Sequence, residues 1–153
     1  MFVELDAKAC TSGSKTAKAP ANSCEPANFP WTTSEASADR ELAGAGVRAR
    51  GDVTLTVEGQ TIHEVVLAPS PAEKYHSIEA AYRDHLQGCK AQVVDSREGK
   101  SDWFRLASTT DQLLVSFKDG VVIALRAERS HWSDEQMGEL MHTAEWRSEK
   151  FVK

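Results

Sequence analysis

The run from Gln112 to Ala127 constrains this chain more than any other part of it. Asp119-Gly120 divides two apolar, β-rich segments, and a two-residue Asp-Gly loop suits a tight hairpin whose turn twist matches that of its strands. Leu113, Val115 and Phe117 alternate onto one face of the first segment, and Val121, Ile123 and Leu125 onto one face of the second. Leu114, Val122 and Ala124 give the other face apolar character too, which places the hairpin inside a sheet and not at its edge.

Upstream, Val53–Val57 alternates cleanly, Glu58-Gly59 supplies a turn, and Thr61–Leu67 returns as a second hairpin strand. Arg50-Gly51-Asp52 spells a tripeptide read by integrins, but three residues recur by chance. Gly and Asp there are expected to mark the turn into the first strand. Ser70, Pro71 and Glu73 form a helix start, with cap, first-turn proline and capping-box acid in place. Tyr75, Ile78, Tyr82 and Leu86, helped by Ala81 and His85, recur at helical spacing, and Gly88 is expected to stop the helix at its C′ position. Cys89–Asp95 and Asp102–Ala107 read as further strands, with Glu98-Gly99 as a turn. A last helix begins at Ser133, which forms a capping box with Gln136, while Trp132 and Met137 occupy the two positions of a hydrophobic staple. Its buried stripe runs through Met137, Leu140, Met141 and Ala144 toward Phe151.

These elements predict an α+β fold: an antiparallel β-sheet of about six strands, order ββ-α-ββββ-α, with two helices packed on one face. That order resembles the helix-on-curved-sheet folds, cystatin-like and helix-grip among them, and the resemblance carries no motif through which a functional residue could be transferred. Residues 47–153 are expected to form this single domain.

The preceding 1–46 differ in composition. Thr11 to Gly46 is rich in Ala, Ser, Thr, Pro and Gly and too poor in large apolar residues to repay the entropy of ordering. A flexible arm or tether is expected, with at most a short helix over Ser34–Leu42, partly docked through the aromatic island Phe29-Pro30-Trp31. Met1–Leu5 lacks the basic and hydrophobic regions of a secretory signal. Ala7-Lys8-Ala9 before Cys10, and the Ser/Thr/Ala/Lys/Pro segment after it, resemble the tether that follows the lipidated cysteine of bacterial lipoproteins.

Three cysteines allow one disulfide and leave one thiol. Cys24 with Cys89 would fasten the arm to the domain; Cys10 with Cys24 would close a short loop within it. Three reduced cysteines in a cytoplasmic protein are the alternative.

At 153 residues the chain can bury a sizeable core without metals, and 41% hydrophobic with 27% charged residues is the balance of a globular protein. No apolar run reaches the roughly 18–20 residues of a membrane span. The formal charge of −5 is uneven: residues 1–50 carry six basic and six acidic side chains, residues 51–153 carry 12 and 17. An acidic domain is repelled by phosphate backbones, so no nucleic-acid partner is expected and a basic protein is favoured.

The five histidines, His63, His76, His85, His131 and His142, fall in no metal-binding motif, and no cofactor is expected. His85 and Cys89 are four apart, but a helix ending at Gly88 would separate them. There is no Gly-x-Ser-x-Gly elbow and no phosphate-cradling loop. His63 and Glu64 at the mouth of a cupped sheet are the best route to an enzyme, yet strand alternation sends them to opposite faces. Trp103 and Phe104, adjacent in a strand, point to opposite faces as well. With helices on one side only, one ring is left on the open face, and Trp103 with Arg105 has the composition of a binding hot spot. Trp31 is a third candidate.

The expectation is thus a non-enzymatic, extracytoplasmic protein-binding domain: an inhibitor or immunity-type protein of the bacterial cell envelope that blocks a basic enzyme. The alternatives are a small-ligand carrier or weak hydrolase using a cavity between sheet and helices, and a structural envelope lipoprotein domain.

Overall fold

The structure, a computed structural model, describes residues 2–4, 24–26, 47–57, 59–69, 77–96, 101–118, 120–128 and 132–152. Its elements are β1 (Phe2–Glu4), β2 (Val47–Val57), β3 (Gln60–Pro69), α1 (Ser77–Gly88), β4 (Gln92–Asp95), β5 (Asp102–Ala107), β6 (Asp111–Lys118), β7 (Val121–Glu128) and α2 (Asp134–Val152). The strands form one antiparallel sheet in the order β1-β2-β3-β7-β6-β5-β4. From β2 onward the order is ββ-α-ββββ-α, an α+β arrangement as expected. Residues 2–4 add a short seventh strand, Phe2 opposite Gly51, so the start of the expected arm joins the sheet.

The two expected hairpins are both present. Lys118 pairs with Val121 and Val57 with Gln60, leaving two-residue loops in which Gly120 and Gly59 take φ of 80° and 78°. Only glycine holds that backbone without strain, so Gly positions fix both registers. β2 starts earlier than expected, at Val47, with an irregularity between Val47 and Ala49. Arg50-Gly51-Asp52 therefore lies within a strand: Arg50 is buried and ion-paired to Asp52, not displayed in a turn.

The layering differs from the sequence expectation. Ile78, Tyr82 and Leu86 of α1 pack against Val65, Leu67, Phe104, Leu113, Val115, Phe117 and Val122. Met137, Met141 and Ala144 of α2 pack against Ile62, Val66, Trp103, Leu114, Val121, Ile123 and Leu125. Within each strand the two sets alternate, so the helices cover opposite faces of the sheet. The cause is already visible in β6 and β7, which are apolar on both faces. One helical layer would leave Leu114, Ile123 and Leu125 in water, at about 1.5–3 kcal/mol for each large aliphatic side chain. The layering thus departs from the helix-on-curved-sheet folds.

α1 lies on a crossover that leads from β3, third in the sheet, to β4 at the far edge. Phe117 stands at the middle of its core, edge-on to Tyr82 and Phe104 with ring centroids 6.4 and 5.7 Å apart. The expected start at Ser70-Pro71-Glu73 and Tyr75 lies outside the described residues. The C-terminus differs from expectation. Ala91 N–H bonds the Leu86 carbonyl and Lys90 N–H that of Gln87, a Schellman closure with Lys90, at φ 58°, in the left-handed C′ position. A left-handed Gly88 would pair Asp84 with Cys89 across the closure. With Lys90 in that position Leu86 pairs with Ala91, both packed on the core, and burial decides against the glycine. β4 consequently begins at Gln92 and not at Cys89.

α2 begins as its sequence requires. Ser133 N–H donates to Gln136 Oε1 at 2.8 Å, Gln136 N–H donates back to Ser133 Oγ at 3.1 Å, and Trp132 and Met137 are both buried. Gln112 Nε2 donates to the Trp132 carbonyl, tying this corner to β6. Polar contacts then run along the covered face. Ser116 Oγ donates to Glu145 Oε2 at 2.8 Å, Arg147 Nη2 to Glu64 Oε2 at 2.7 Å, and Lys118 Nζ to Glu149 Oε1 at 2.5 Å.

Candidate functional site

The expected hot spot does not face solvent. Trp103 lies under α2 at 3% exposure, its ring 3.5 Å from where a Cβ on Gly138 would stand, because the face left open in the one-layer picture carries the second helix. Arg105 shares that face, and its Nη1 lies 3.3 Å from Asp134 Oδ2 at the start of α2. Trp31 lies outside the described residues. His63 and Glu64 are on opposite faces, as alternation requires: Glu64 meets α2 through Arg147, while His63 faces the α1 side.

What the sheet exposes is its rim. β4 is four residues long, and its outer edge meets no other described strand. Val93 is 70% exposed there, opposite Phe104 on the α1 side of the sheet. Asp95 shares its face and stands directly across from Asp102. The described cation that contacts this pair is already shared: Arg83 donates to Asp102 at 2.8 Å and to Glu79 at 3.3 Å, and its guanidinium lies over the Phe117 ring at 4.5 Å. Asp95 has no ion-pair partner among the described residues. An exposed valine, a carboxylate with no ion-pair partner among the described residues and a strand edge that no other described strand covers therefore converge at one place. Alternation in Gln92–Asp95 carried part of this signal, but its place at the end of the sheet was not readable locally. Trp146, 56% exposed on α2, is the other large apolar side chain presented to solvent among the described residues.

A cleft of about 280 Å³ lies at another corner, lined by Gly59, Gln60, Thr61, His63, Asp111, Arg126, Ala127 and Glu128. All of these described lining residues belong to strands or to a hairpin loop. Burial, and then the neighbouring Arg126 guanidinium, hold the His63 imidazole below its usual pKa. His63 Nδ1 also lies 3.4 Å from Thr54 Oγ1. Asp111 and Glu128 face each other across the β6–β7 ladder. Thr61 is the one hydroxyl among the described lining residues, which offer charge and hydrogen bonds to a polar ligand.

Of the two pairings open from sequence, the structure joins Cys24 to Cys89, with Cα atoms 5.5 Å apart across 65 positions. The bond fixes 24–26 to the end of α1, where Pro26 is buried. Cys10 lies outside the described residues. No helix among the described residues is long and apolar enough to cross a membrane. The chain matches no protein-family model, no curated protein and no solved structure.

Proposed function

We propose that this protein is a non-enzymatic binding module that takes an extended, basic segment of another protein along the outer edge of β4. The observation that carries the reading is Val93 standing exposed beside Asp95, whose carboxylate faces Asp102 with no counter-charge of its own among the described residues. A strand added to that edge supplies backbone partners, a lysine or arginine opposite the aspartates, and an apolar side chain over Val93. The net charge of −5 favours the encounter with a basic partner and disfavours nucleic acid. In its most concrete form the module is an inhibitor or immunity-type protein of the bacterial envelope that occludes a basic enzyme. The Cys24–Cys89 bond supports an oxidising, extracytoplasmic setting.

The test is association with basic periplasmic enzymes and with a peptide alternating lysine and valine, measured across a salt series. Asp95→Lys is expected to slow association and flatten the salt dependence, and Val93→Ser to speed dissociation. Equal binding by both variants and the parent, or binding indifferent to salt, overturns the proposal.

The cleft around Arg126 supports a second reading, a carrier of a small polar ligand. Ligand-induced stabilisation that disappears in Arg126→Gln while β4 variants retain it would favour this reading over the first.

A further inference from the structure

The Schellman closure at Lys90 has a chemical consequence. Cys89 N–H donates to the His85 carbonyl at 3.0 Å, so the α-helical turn extends through Cys89 and holds residues 85 and 89 on one face. Cys24 meets the same place from outside the helix. One imidazole nitrogen of His85 and the two Sγ atoms all lie within 4.8 Å of one another. Donors on a tetrahedral zinc, with Zn–S of about 2.3 Å and Zn–N of about 2.0 Å, stand roughly 3.5–3.8 Å apart, so side-chain rotation alone brings these three into range. Cys24 is exposed and the other two are half-buried, which gives an ion a way in.

We propose that the reduced protein binds a zinc ion through Cys24, His85 and Cys89, the disulfide and the metal being alternative states of one site. A dithiol reductant supplies two electrons and two protons and becomes a cyclic disulfide, while the Cys24–Cys89 bond breaks to two thiols. Zinc then displaces both thiol protons to solvent and takes the two thiolates and the imidazole, leaving a fourth position for water. A small-molecule disulfide reverses the step by exchange: the Cys24–Cys89 bond re-forms, the oxidant's own S–S bond breaks to two thiolates that take up protons from solvent, and the loss of two of the three donors releases the ion. This inference is independent of the β4 edge: either proposal can fail without the other.

The test uses the full chain carrying Cys10→Ser, which removes the third thiol, reduced with dithiothreitol and desalted without oxygen. Cobalt(II) is expected to bind at about one ion per chain with a thiolate-to-cobalt charge-transfer band, zinc to displace it, and the oxidised protein to show no band. Cys24→Ser or Cys89→Ser abolishes the band. His85→Gln weakens binding by roughly tenfold or more, with its far-ultraviolet circular dichroism unchanged. Zinc also raises the Tm of the reduced parent and not of the oxidised one. A reduced parent that gives no band and gains no stability from zinc overturns the proposal, as does a folded His85→Gln protein that binds cobalt as tightly as the parent.

Discussion

Asp95 and Asp102 stand directly opposite each other across the β4–β5 ladder, and the only described cation at this pair, Arg83, contacts Asp102 alone. Like charges opposed in this way destabilise a sheet by about 0.2–1 kcal/mol. Replacing Asp95 by lysine is therefore expected to raise the unfolding free energy of the isolated protein by about 0.5 kcal/mol, read as a higher urea midpoint at unchanged m-value. A residue whose replacement stabilises the fold while weakening a complex has its place through the partner. A lower midpoint would show the repulsion is already relieved.

Glu64 is 5% exposed, and Arg147 across the β3–α2 interface is the cation it contacts. Arg147→Met leaves a carboxylate under the helix without its counter-charge and is expected to cost about 1–3 kcal/mol, discounted from a fully buried pair because the arginine remains partly in water. Glu64→Leu combined with Arg147→Met is expected to recover much of that loss, since no charge then remains to desolvate. Urea unfolding of the parent, both single variants and the double variant measures the coupling.

His63 sets a pH dependence. Burial and Arg126 lower its folded pKa below the ordinary value near 6.5, so between the two values the unfolded chain binds more protons than the folded one. The stability linked to His63 is fully present above about pH 6.5 and declines as pH falls through the lowered value. His63→Gln is expected to flatten the Tm-against-pH curve below that point while leaving the carboxylate-driven loss at lower pH. An unchanged curve would show that neither burial nor Arg126 lowers the imidazole's pKa in the folded protein.

Lys90 occupies a left-handed position that costs a side-chain-bearing residue roughly 1 kcal/mol more than glycine. Lys90→Gly is expected to stabilise the protein by about 0.5–1 kcal/mol, and Gly88→Ala, at a helical position with open space around its Cβ, by about as much. Thermal unfolding of the oxidised protein tests both.

Much of the fold was legible because its signals are local. The loops ending in Gly59 and Gly120, the Ser133–Gln136 box and the Trp132–Met137 staple each need only a few neighbouring residues. The layering was not, although Leu114 and Ile123 already marked the second face as apolar. β7 ends in the middle of the sheet, and no nearby residue says to which face the chain turns next. That single choice of face decided the fate of Trp103, whose direction relative to Phe104 and Arg105 follows from alternation, but whose covering by α2 does not. The last helical residue is Gly88, but the left-handed closing position falls at Lys90 for a similar reason: a glycine preference was outweighed by the burial of Leu86 and Ala91. The β4 edge and the Cys24–His85–Cys89 cluster depend on contacts distant in sequence, which spacing alone cannot place.

The crosslink between Cys24 and Cys89 closes a covalent ring that takes in β2, β3 and α1. A protease that cuts one peptide bond anywhere within the ring separates no fragment. The nicked molecule keeps nearly its full mass and both severed ends until a reductant releases them, so damage to this half of the sheet stays hidden on a non-reducing gel.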